Sequence, residues 1–125
     1  MAAVVVDDSN MILATVLDAV QAKIAFDTAG AITTDLNQPI LSKDDPNTTY
    51  GLTAEASATV NKSWGDQAAA FAEWTVGKDV AAVDGLALTD GDDAGVPTDP
   101  ALTSSVSITV PGFQTAIDNA VANAK

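Results

Sequence analysis

The longest periodic stretch of the chain is Ser9 to Phe26, SNMILATVLDAVQAKIAF. Leu13, Val16, Leu17, Val20 and Ile24 recur there at three- and four-residue steps, the spacing that lines one face of a helix. Asp7, Asp8 and Ser9 stand just ahead, where side-chain oxygens accept from free backbone N–H groups and negative charge suits the helix dipole. Gly30 supplies a stop. The pattern predicts a long helix over 9–26, preceded by a short β-branched strand over Ala2–Val6.

Beyond it, Ala31 to Leu36 reads as a strand, and Asn37 to Asn47 as a surface loop, because Pro39 and Pro46 each remove a backbone donor and Asp44, Asp45 and Asn47 favour local side-chain bonds. From Tyr50 to Trp64, Leu52, Ala54, Ala56, Ala58 and Val60 alternate with polar residues, which predicts a strand. Gly65-Asp66 marks a turn. Gln67 to Val83 is ambiguous, since its alanines favour helix while Ala70, Ala72, Trp74 and Val76 alternate; the reading here is a second strand, ended by Gly77, forming a hairpin with the first. Asp84 to Pro100 is an acidic loop, long enough inside a small domain to be functional or mobile. Leu102 to Val110 alternates as a strand, Pro111-Gly112 breaks it, and Phe113 to Ala124 has helical spacing with Pro111 near its start. The expectation is a single α+β domain over 1–125: a small antiparallel sheet with a long N-terminal helix and a C-terminal helix, the helices covering one face.

Composition narrows what such a domain does. The hydrophobic fraction is 47%, but aromatics are only 5% and alanine supplies much of the rest. A core of such small side chains stabilises a lone monomer modestly, and association with further copies is the natural remedy. The formal net charge is −12, and every cation is a lysine. A chain of this charge repels phosphates and anionic lipid surfaces, so neither nucleic acid nor membrane is an expected partner. No apolar run approaches the roughly 20 residues of a membrane span, and the N-terminal apolar run is too short for a secretory signal. The chain reads as soluble and untargeted.

The chemistry is equally bounded. With no histidine and no cysteine, the usual general base, the common nucleophile arrangements and cysteine–histidine zinc sites are missing, and no phosphate-cradling glycine motif appears. The expectation is a protein that is not an enzyme. Glu55 and Glu73 would face each other across the expected hairpin, most simply as two solvated carboxylates. The candidate cation site is the loop bearing Asp90, Asp92, Asp93 and Asp99, whose clustered oxygens suit a hard ion such as calcium. As a calcium-hand loop it is incomplete, with Ala94 in the fifth place and Ala101 in the twelfth. Candidate interface residues are Leu13, Leu17, Val20 and Ile24 on the expected helix, with Trp64 and Trp74, since few aromatics in an alanine-rich chain serve either as core bulk or as contact anchors.

In composition and order of elements the chain resembles the small structural proteins of tailed viruses: head decoration, neck and tail components. The stretches that carry the likeness are the helix at 9–26, the strands at 50–76 and 104–110, and the terminal helix from Phe113. The resemblance implies a non-enzymatic, many-copy virion protein whose partners are further copies of itself and other virion proteins. The alternative is an acidic, calcium-dependent binding module, virion or cytoplasm being the corresponding settings.

Overall fold

The computed structural model of the protein describes residues 1–124, and it opens with a β-hairpin in place of the expected N-terminal helix. Strand β1 is Ala2–Val6, as expected, and β2 is Ile12–Leu17. They pair antiparallel, Ala2 opposite Leu17 and Val5 opposite Ala14, with a bulge between Val5 and Val6. The residues read as a helix start make the turn. Asp7 Oδ1 accepts from the N–H groups of Ser9 at 2.8 Å and Met11 at 2.9 Å, while Asn10 takes a left-handed φ of 59°, which asparagine tolerates better than most residues. An aspartate that caps a helix also closes a tight turn by the same bond. Here the β-branched runs on both sides, AAVVV and ILATVL, decide between them.

Past Leu17 the chain forms no helix or named strand until residue 64. Isolated bridges join Val20 to Ser42 and Phe26 to Ile32, so residues 18–43 form an arm that leaves the body and returns. The expected strand at 31–36 is reduced to that single bridge at Ile32. The expected strand over 50–64 is a pair of turns, in which the Ser57 N–H donates to the Thr53 carbonyl and the Asn61 N–H to the Ser57 carbonyl. The alternating alanines there had little surface to bury, and the buried member is Ser57.

Helix α1 spans Trp64–Thr75 and overturns the expected second strand. Ser63 and Asp66 form a capping box: the Asp66 N–H donates to Ser63 Oγ at 3.1 Å and the Ser63 N–H donates back to the Asp66 carboxylate at 3.3 Å. Trp64, Gln67, Ala68, Phe71, Ala72 and Thr75 are the buried residues, one stripe at helical spacing. Phe71 and Trp74, a turn apart, stack with ring centroids 5.7 Å apart. Helix α2 is Val80–Asp84, capped by Asp79. Helix α3, Pro111–Ala122, is the expected C-terminal helix with proline in its first turn. The expected strand over 102–110 is instead a helical turn begun by Asp99, whose carbonyl accepts from Leu102 and Thr103, followed by irregular chain. The molecule is thus α+β, with a two-stranded antiparallel sheet backed by helices: α1 packs against β2, and α3 against β1 and α2.

Phe71, Val83, Ile117 and Val110 are fully enclosed at the centre. Each stabilises the fold by roughly 1.5–3 kcal/mol relative to exposure. Trp64 and Phe113, with ring centroids 5.7 Å apart, extend this aromatic cluster. A single polar side chain ties the irregular segments to it. Gln67, fully buried, donates through Nε2 to Ser57 Oγ and the Lys62 carbonyl, each at 3.0 Å. Its Oε1 accepts from the Ser107 N–H at 2.8 Å and the Ser107 hydroxyl at 3.1 Å.

Candidate functional site

The apolar residues are divided unevenly along the chain. Of the buried core only Ile12 and Leu17 come from the first 63 residues; the rest lie between Trp64 and Val121. The large exposed apolar side chains are distributed the opposite way. Among the described residues they are Val5, Leu13 and Val16 on the hairpin, Val20, Ile24, Phe26, Ile32, Leu36 and Ile40 on the arm, and few others, of which only Val76 lies beyond Tyr50.

The hairpin accounts for its share by alternation. Ala2, Val4 and Val6 turn towards the core, so Ala3 and Val5 face out, and on β2 Ala14 and Val16 are exposed while Thr15 and Leu17 turn in. A one-sided antiparallel sheet ordinarily shows polar residues on its wet face. This one is apolar on both.

The arm is rooted by Asp18. Its Oδ1 accepts from the Ala19 N–H at 2.7 Å and the Asp44 N–H at 3.4 Å, while the Lys43 N–H donates to the Ala19 carbonyl at 2.8 Å. Burial pushes the Asp18 carboxyl up, but the Ser42 hydroxyl, these two N–H groups and the N-terminal ammonium outweigh it and hold the pKa below its ordinary value. Between the arm and residues 48–50 lies an open cavity of about 450 Å³. Lys43 stands over Tyr50 at its edge, 3.8 Å from the ring centroid. A second groove, of about 320 Å³, runs between β2 and α1.

The interface residues expected from sequence therefore separate. Leu13, Val20 and Ile24 are exposed, although on a hairpin and an arm and not on a helix. Leu17 and Trp64 are core, at 6% and 5% exposure. Trp74 is half-buried against Phe71, and the Lys78 ammonium, 2.6 Å from the Trp74 carbonyl, also stands 4.3 Å from its ring centroid. Sequence reasoning missed Val16, Phe26, Ile32, Leu36 and Ile40. The signal was present in VQAKIAF, where Val20, Ala22, Ile24 and Phe26 alternate with Gln21, Lys23 and Ala25; the longer three-and-four spacing masked it.

The acidic loop is ordered by its own bonds. Leu88 and Pro97 form a bridge, the Thr89 N–H donates to the Val96 carbonyl, and the Thr89 hydroxyl donates to the Asp93 carbonyl. Gly95, buried with φ 97°, lies so close to Pro111 that a Cβ would come within 3.0 Å of Cδ. Asp90, Asp92 and Asp93 lie exposed at the loop tip, around a short 3-10 turn, Gly91–Asp93. Asp99 caps the following turn through the Ala101 N–H at 2.8 Å. Among the described residues, no three acidic side chains converge where a cation could be held. Glu55 and Glu73, both exposed, lie on a turn and on α1, with no hairpin to oppose them. Asp118 on α3 has one enclosed oxygen without a hydrogen-bond partner. Burial, the charge of Asp84 and sharing of a hydrogen bond with Asp84 in the acid form raise its pKa. Among the described residues, no helix is long and apolar enough to cross a membrane.

No protein-family model, no curated protein and no solved structure matches the chain.

Proposed function

We propose that the chain is a non-enzymatic assembly protein that works by joining further copies of itself through its N-terminal third. The carrying observation is the division just described: a body whose core comes almost wholly from residues 64–121, bearing a hairpin that leaves Val5, Leu13 and Val16 exposed and an arm that leaves Val20, Ile24, Phe26, Ile32, Leu36 and Ile40 exposed. So many large apolar side chains exposed in one third of a chain are ordinarily covered by a partner. Carboxylates dominate the rest of the surface, and they repel rather than attract another copy, so the uncharged strands and the arm are the surface left for contact.

The setting we infer is the virion of a tailed virus, as a head decoration, neck or tail component touching other virion proteins. Composition supports this. The element order offers little support, because the helix at 9–26 and the strands at 50–76 and 104–110 are not the elements formed and only the terminal helix from Phe113 is. Sedimentation across a concentration series, paired with electron microscopy, tests the reading. Discrete oligomers, rings or tubes are the expected result. A dispersed monomer at every concentration that binds calcium would instead favour the acidic binding module.

A further inference from the structure

We infer, building on the assembly reading above, that segment Val20–Phe26 of one copy adds as a strand to the open edge of β2 on a second copy, seated in the groove between β2 and α1. The edge is defined by the ladder. The Met1 amino group donates to the Asp18 carbonyl at 2.6 Å and the Asp18 N–H donates to the Met1 carbonyl at 3.1 Å, so these two residues exchange both bonds. In an antiparallel pair such residues alternate with ones whose N–H and C=O point away from the partner strand. With Ala2 opposite Leu17 and Val4 opposite Thr15, the backbone groups of Thr15 and Leu17 point outward. Among the described residues nothing bonds them. At its start the same edge is closed within the chain, where the Ile12 N–H donates to the Lys78 carbonyl at 2.9 Å and the Gly77 N–H to the Ile12 carbonyl at 2.8 Å. The open part is therefore Leu13–Leu17, uncharged throughout, the condition under which an edge strand templates another chain.

The groove beside that edge suits an incoming backbone. On the helix side it is lined by Ala69 and Ala72, which allow close approach, with the Asp44 carboxylate lying over Gly65 at one end, while Leu13, Val16 and Val76 supply apolar rims. Its two charged lining residues are Asp44 and Glu73. The occupant is chosen by three features. Val20–Phe26 carries one cation, Lys23, and no acid, in a chain of net charge −12, so it complements that rim, which an acid-bearing segment would not. Its Val20, Ala22, Ile24 and Phe26 alternate as a strand requires, and all are exposed, Phe26 at 61%. Finally, Ala22 and Ile24 make no backbone hydrogen bond among the described residues. The Val20–Ser42 bridge and the Lys43-to-Ala19 bond lead this segment off its own β2, which leaves the edge to another copy.

The contact is heterologous, arm into groove, so two differently broken copies should complement each other. Ile24→Asp spoils the arm and Val16→Asp the groove; both positions are exposed, and far-UV circular dichroism should show both variants folded as wild type. In sedimentation, each variant alone is expected to lose association by at least about tenfold, and an equimolar mixture to recover a species containing both. Lys23→Glu is expected to weaken association, and the added change Glu73→Lys to restore it. If Val16→Asp associates like wild type while Ile24→Asp does not, arms meet arms and this inference fails, with the assembly reading intact. If wild type itself stays monomeric, the assembly reading fails with it.

Discussion

Gln67 shows how much of this fold a single side chain organises. Its four hydrogen bonds reach the turn at Ser57, the carbonyl of Lys62 and both the backbone and hydroxyl of Ser107, three stretches with little regular structure of their own. Gln67→Leu keeps the volume but leaves those buried partners unpaired, at about 1–3 kcal/mol for the worst-placed group. The expected outcome is a loss of about 2–4 kcal/mol in chemical denaturation, well beyond a typical surface change. Two carboxyls should leave opposite pH signatures. The pKa of Asp18 is lowered in the fold, so its stabilisation is present above the unfolded value and is lost as pH falls through the folded one. Thermal melts of Asp18→Ala should accordingly be destabilised at neutral pH and approach wild type in acid. The pKa of Asp118 is raised, so the fold favours its protonated form, and that advantage is lost as pH rises through the folded value. Asp118→Asn should therefore melt higher than wild type at neutral pH, the gain vanishing once the pH falls below the ordinary carboxyl range.

At the scale of elements, what sequence made legible was whatever had a mechanism of its own. Strand β1 followed from consecutive β-branched residues, and α3 from Pro111 ahead of a helical stripe. The hairpin was hidden because Asp7 and Ser9 suit a helix start and a tight turn equally, and because Leu13, Val16, Leu17, Val20 and Ile24 satisfy a helical spacing by coincidence. Helix α1 was hidden behind alternating alanines, although Ser63 and Asp66 already spelled its cap. The acidic loop was legible as a loop; that its aspartates point apart was not, since Asp99 serves a turn of its own. The exposed arm was legible only as apolar alternation in VQAKIAF, and burial, which sequence does not report, gives it meaning. The hairpin turn can be tested directly. Asn10→Gly suits the left-handed φ of 59° and should leave stability within about 0.5 kcal/mol. Asn10→Val strains the same position and should cost about 1–3 kcal/mol in denaturant titration.

For the molecule as a whole, charge and apolar surface act against each other. Each copy carries −12, so copies repel at low ionic strength, and salt shortens the reach of that repulsion to about 10 Å at 0.1 M. A single Lys23 contact per interface does not offset it. Association should strengthen as salt is raised, read as a falling dissociation constant in sedimentation; an interface held mainly by ion pairs would weaken instead. The most direct test of the central claim is hydrogen–deuterium exchange across a protein concentration series, read at the amides of Ala22 and Ile24. The account predicts near-free exchange in dilute solution and protection that grows in step with the oligomer. Oligomers that form while those amides continue to exchange freely would contradict it.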